Sequence, residues 1–161
     1  MNTAGLDIII NASVKYSELN GIKYQTDEQI IALKFALKGA KGDNGFQDLP
    51  VKLHKSYEVF HLLCGSEPQV FKTNFLEREG ITFFTLYRDE ATLTEAEIDL
   101  YIRIMKDEFD HCLIKDDIDI ATQDTYRKSL KNNLLKRIHK SRNCNSFWAF
   151  RSGGKVFVLN K

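Results

Sequence analysis

An α+β fold, with helices packed on an antiparallel sheet, is predicted by three observations. Pairs of alternating or β-branched runs flank short turn signals at Asn20-Gly21, at 77–80 and at Ser152-Gly153-Gly154. Between them lie segments whose apolar residues recur every three or four positions behind capping signals. No strand–helix–strand alternation of the kind that builds a parallel sheet recurs along the chain. The predicted order over residues 1–161 is hairpin, two helices, hairpin, two helices, hairpin, in a single compact domain. The sheet is thus expected from three β-hairpins with about four helices on it, closing with a basic C-terminal segment, 125–161.

The first hairpin is placed in SVKYSELNGIKYQ, because Asn-Gly favours the type I′ turn, in which both central residues need positive φ. LDIII, just before it, reads as the start of that strand or as a separate one. Thr26 and Gln29 form a capping box that predicts a helix through Ile30, Leu33 and Leu37, ended by Gly39. GAKGDNG, 39–45, reads as a loop. Pro50 opens a second helix, VKLHKSYEVFHLLC, with Leu53, Tyr57, Phe60 and Cys64 as its inner stripe and Gly65 as its stop. QVFKTNFL, the turn EREG and ITFFTLYR make the second hairpin.

Thr94 and Glu97 form another capping box, with Leu93 and Ile98 placed as a hydrophobic staple. That helix carries Ile98, Tyr101, Ile102, Met105, Phe109 and Leu113 on one stripe. KDDIDIATQD is an acidic connection to a fourth helix, from about Thr125 to Arg142. SFWAFRSGGKVFVLN then forms the third hairpin.

Composition narrows the function classes. Hydrophobic residues at 43% and charged residues at 28% suit a soluble globular domain. No apolar run approaches the ~18 residues of a membrane span, and the first residues lack the charged region and cleavage site of a signal peptide. Cys64, Cys112 and Cys144 are odd in number and widely spaced, which points to reduced thiols in a cytoplasm. The net charge of +1 conceals a segregation. Residues 77–124 sum to −9 and residues 125–161, with ten bases and no acid, to +10. Such asymmetry points to an anionic partner, or to acidic and basic segments that neutralise each other within the fold.

Three clusters carry possible chemistry. His54, Glu58 and His61, spaced by four and three, fall on one helical face and could ligate zinc or another first-row metal. The competing reading is a solvated polar stripe. Asp107, Glu108 and Asp110, then Asp116, Asp117 and Asp119, offer carboxylates for Mg²⁺ but lack the lysine and strand platform of such sites, and read as a solvated face and a connection. Hydrolase-elbow, zincin, P-loop and Rossmann motifs are absent from the sequence, and no cofactor is implied. Cys64 reads as a core residue.

The third cluster is LKRIHKSRNCNSFWAF, 135–150. Arg127, Lys128, Lys131, Lys136, Arg137, Lys140 and Arg142, with Trp148 and Arg151 beyond them, make a candidate binding surface for phosphates and bases. Trp148 and Phe150 alternate onto one strand face, which serves as core or as a stacking platform. The leading expectation is a non-enzymatic, cytoplasmic macromolecule-binding module of inhibitor or immunity type. Its partner would be a protein or nucleoprotein, with RNA or DNA the other candidates. The alternative is a metal-independent ribonuclease with His139 as acid or base and Lys136, Arg137 and Arg142 steadying the phosphate.

Overall fold

A computed structural model describes residues 4–40, 42, 45–115, 146–152 and 155–160. The fold is α+β: one antiparallel sheet with three described helices. Helix α1 (Ala4–Lys15) leads into β1 (Gly21–Gln25) and β2 (Ile30–Lys38). A 3-10 turn at Phe46–Asp48 then precedes α2 (Leu49–Cys64). Strands β3 (Phe71–Arg78) and β4 (Ile81–Asp89), helix α3 (Glu95–Phe109), β5 (Ser146–Ser152) and β6 (Lys155–Asn160) complete it. The sheet order is β3-β4-β2-β1-β5-β6.

Three N-terminal expectations are overturned. The LDIII run is helical, because Leu6, Ile9, Ile10, Ser13 and Val14 are buried at helical spacing. The Asn20-Gly21 pair therefore does not turn a hairpin; Asn20 only meets the edge of β2 through its amide, which donates to the Lys34 carbonyl at 2.8 Å. Residues 30–38, expected to be helical, form the central strand β2, with Ile31, Leu33, Phe35 and Leu37 fully buried in period two. The turn into it uses the supposed capping box, and Gln29 adopts φ 55° there. Gly39 accordingly follows a strand and caps no helix.

The remaining described elements match their local signals. Pro50 lies in the first turn of α2, and Gly65, at φ 67°, ends it. The β3–β4 turn narrows to Glu79-Gly80, at φ 52° and 77°, since Arg78 already pairs with Ile81. The Thr94 hydroxyl accepts from the Glu97 amide at 3.2 Å, capping α3. Ile98, Tyr101, Ile102, Met105 and Phe109 are buried beneath that helix. Strands β5 and β6 pair from Phe147–Asn160 to Ser152–Lys155. The expected fourth helix, 125–142, lies outside the described residues.

All three helices pack on one face of the sheet, where Ile22, Tyr24, Leu33, Phe35, Phe84, Leu86 and Phe147 meet Leu6, Ile9, Leu53, Tyr101 and Met105 in a continuous core. At one end of that core sits a buried polar network. Arg88 donates from Nε to Glu97 Oε2 at 2.6 Å and from Nη2 to Glu97 Oε1 at 3.0 Å. It also donates to the Val70 carbonyl and to Asp89. Tyr101 donates to Glu97 at 2.5 Å, and His61 Nε2 lies 2.6 Å from the same carboxylate. One guanidinium faces two carboxylates there, and each of its three nitrogens has a hydrogen-bond partner, as an interior of low dielectric requires.

Candidate binding face

The sheet has a second face, and its composition follows from strand alternation and register. Opposite the core, β3 presents Lys72, Asn74, Leu76 and Arg78, and β4 presents Ile81, Phe83, Thr85 and Tyr87. From β2 come Ala32, Lys34, Ala36 and Lys38, and from β1 come Gly21, Lys23 and Gln25. Ser146, Trp148 and Phe150 continue the face on β5, with Phe157 and Leu159 on β6. None of the described helices covers it.

Register arranges these residues in rows. One row runs Lys72, Tyr87, Ala32, Lys23, Trp148, Leu159 across the six strands; the next runs Asn74, Thr85, Lys34, Gly21, Phe150, Phe157. Small residues at the middle and aromatic rings on either side leave a trough of about 250 Å³, lined among others by Gly21, Ala32, Phe83, Tyr87 and Trp148. A Cβ at Gly21 would come within 3.2 Å of both the Trp148 indole nitrogen and the Ala149 carbonyl, so glycine lets the indole pack close over β1.

Lys34 stands in the trough, its ammonium 4.6 Å from the centre of the Phe83 ring and 4.8 Å from that of Trp148. Burial, and after it the nearby Arg78, hold its pKa below the usual lysine range. Phe150 and Phe157 stack with ring centres 5.5 Å apart at the far end. Phe157 and Leu159 remain about half exposed, at 45% and 51%.

The charge on this face is one-sided. Lys23, Lys34, Lys38, Lys72 and Arg78 bring five cations. Among the described strand residues of the face the sole carboxylate is Asp89, at its margin. Its oxygens are already taken by Arg88, by the Thr92 hydroxyl at 2.6 Å and by the Gln69 and Val70 amides.

The residues singled out in the sequence fare unequally. Trp148 lies on the open face, and the core position in its strand belongs to Phe147 and Ala149. Arg151 pairs with Val156 through its backbone in β5. Arg127, Lys128, Lys131, Lys136, Arg137, His139, Lys140 and Arg142 lie outside the described residues, as do Cys144, Asp116, Asp117 and Asp119.

His54, Glu58 and His61 do not come together as a ligand set. His61 is 3% exposed, its Nδ1 2.5 Å from Ser66 Oγ and its Nε2 on Glu97, while His54 and Glu58 are exposed and 3.5 Å apart. Among the described residues no group of three potential metal ligands forms. The inner stripe of α2 is Leu49, Leu53, Tyr57 and His61, which turns Cys64 out to solvent and corrects its expected place in the core. Sequence reasoning missed Phe83, Tyr87, Lys23, Lys34 and Lys72. The signal of Phe83, Tyr87 and Lys23 is the alternation within ITFFTLYR and GIKYQ, while Lys34 and Lys72 lie in the neighbouring strands, and the face becomes a surface only once β5 is known to lie beside β1.

Several acids between residues 95 and 110 have partners among the described residues. Glu95 accepts from Asn11, Asp99 from Lys15 and Tyr16, Glu108 from Lys52 and Asp110 from Lys115. No described helix is long and apolar enough to cross a membrane. No protein family, curated protein or solved structure matches this chain.

Proposed function

We propose that this protein is a non-enzymatic module that binds an anionic macromolecule through the open face of its sheet. The basic C-terminal segment, with Arg127, Lys128, Lys131, Lys136, Arg137, Lys140 and Arg142, is proposed to add to that contact. The observation that carries the reading is the pairing of five cations with half-buried rings on a face whose one carboxylate among the described residues is already bonded. A face needed only to shield the core would gain nothing from uncompensated charge, because like charges on neighbouring strands repel.

A second support comes from the acids of 95–110. Because Asp99, Glu108 and Asp110 are paired with Lys15, Lys52 and Lys115, neutralising them does not require the basic segment. An inhibitor or immunity-type role, with an acidic protein surface or a nucleoprotein as target, fits such a face. A cytoplasmic location accords with Cys64 and Cys112, both free thiols. The ribonuclease alternative rests on His139 and its neighbours, and nothing on the described face adds a general acid or base to it.

Immobilised heparin, a polyanion without bases, tests the reading. Wild-type protein should be retained at low salt, and Lys72→Glu with Arg78→Glu, both exposed on the face, should elute earlier, with stability within about 0.5 kcal/mol of wild type. Equal elution of the two proteins would refute the open face as the contact surface. Charge reversal of Arg137 and Lys140 in the same assay measures the share of the C-terminal segment.

A further inference from the structure

We infer that the occupant of the trough is a single strand of RNA, lying across the sheet with bases on its rings and phosphates on its lysines. This rests on the proposed function and names its ligand. Every base has a π-face, so the half-buried rings of Trp148, Tyr87 and Phe83 accept any sequence, while lysines between them meet the backbone. Tyr87 and Trp148 occupy one row, separated by Ala32 and Lys23. At ~4.8 Å per strand, their strand positions are ~14 Å apart, with the indole leaning from β5 over Gly21 toward Lys34 and the small Ala32 between them. Lys23 lies between them in that row and Lys34 in the next, where a connecting backbone would pass.

Three features favour this strand over the alternatives. A duplex presents stacked, paired bases and a convex backbone, and could not place a base face on rings recessed in a trough. An acidic protein segment would use the cations but leave Phe83, Tyr87 and Trp148 without a specific partner. Asn74 and Thr85, in the row of Lys34, and Gln25 next to Lys23 along its strand, are uncharged donor–acceptor groups. Such groups suit the 2′-hydroxyl, which separates RNA from DNA. Lys34, drawn over two rings and partly desolvated, is a cation poised to exchange those contacts for a phosphate.

The full chain, titrated against a fluorescein-labelled oligouridine of twelve nucleotides, tests this by anisotropy and by the emission of Trp148, the chain's single tryptophan. Binding should quench that emission. Trp148→Ala should weaken affinity by roughly 5- to 150-fold, the range for one stacked base, and Trp148→Phe should restore most of it. Lys23→Gln and Lys34→Gln should each lower the slope of log affinity against log salt by about 0.7. Circular dichroism of each variant establishes that the fold persists. Oligouridine binding that ignores Trp148→Ala would overturn the inference, and equal affinity for oligothymidine would overturn the RNA assignment. Retention on heparin without any binding of oligouridine would overturn the inference while leaving the proposed function standing.

Discussion

Arg88 and Glu97 form a two-pronged ion pair with both side chains fully buried, joining the end of β4 to the first turn of α3. The same carboxylate accepts from Tyr101 and contacts His61, so one acid organises three elements. Burial alone would ease the proton off Arg88, but Glu97 and Asp89 more than reverse this and keep it charged. Glu97→Gln removes the matching charge while keeping the shape. Truncating one partner of a buried pair costs about 3–5 kcal/mol, and urea unfolding should show a loss of that order. A loss below about 1 kcal/mol would mean that the network contributes little beyond packing.

Acid should weaken the protein through Asp89. Burial pushes its carboxyl up, but the Thr92 hydroxyl, the Val70 amide and Arg88 outweigh burial and hold it down at about 2, against an ordinary 3.8. A depressed folded-state pKa contributes stability that is complete above 3.8 and lost as pH falls toward about 2. Unfolding midpoints followed across that window should fall more steeply for wild type than for Asp89→Asn. Parallel curves would show that Asp89 is not among the groups that drive acid unfolding.

Gly21 sets the height of the trough floor. Gly21→Val would place a branched side chain where a Cβ already crowds the Trp148 indole and a fixed carbonyl. Overpacking of this kind costs roughly 1–3 kcal/mol. The Trp148 emission should shift as the ring is displaced, and oligouridine affinity should fall with it. An unshifted spectrum would show that the indole does not depend on Gly21.

The Glu79-Gly80 turn places a glutamate in the left-handed region, at φ 52°. Asn tolerates that region better, so Glu79→Asn should raise stability by about 0.5 kcal/mol. Gly80→Ala, at φ 77°, should lower it by about 1 kcal/mol. Thermal unfolding of the two variants should therefore move in opposite directions. If both destabilise, Glu79 holds a contact outside the turn.

What could be read from the sequence depended on whether local signals agreed. The cap of α3, the Pro50 and Gly65 boundaries of α2 and the β3–β4 hairpin each combine periodicity with a terminal residue of matching chemistry. Residues 30–38 satisfy two periods at once, because Leu33 and Leu37 belong to both stripes. The strand is central, with Ala32 and Ala36 also buried, so Lys34 alone interrupts the apolar run between its ends. LDIII misleads in the other direction, its β-branched residues outweighing a helical stripe that was visible. The place of His61 could not be read locally, since Glu97 and Arg88 are 36 and 27 residues away. The open face shares that obstacle: Trp148 was identifiable, but its neighbours across β1 and β2 are fixed by register alone.

The pairing of β1 with β5 also has a temporal side. Gln25 and Ser146 are register partners, so one margin of β1 must wait for residues made much later. At the ~5–20 residues per second of synthesis, the delay is about 6–24 seconds. During it the nascent sheet ends in GIKYQ, whose free amides and carbonyls can template a neighbouring chain. Lys23 sits at the middle of that strand, where its charge repels an identical copy. The cation that borders the trough in the finished protein thus guards the growing one.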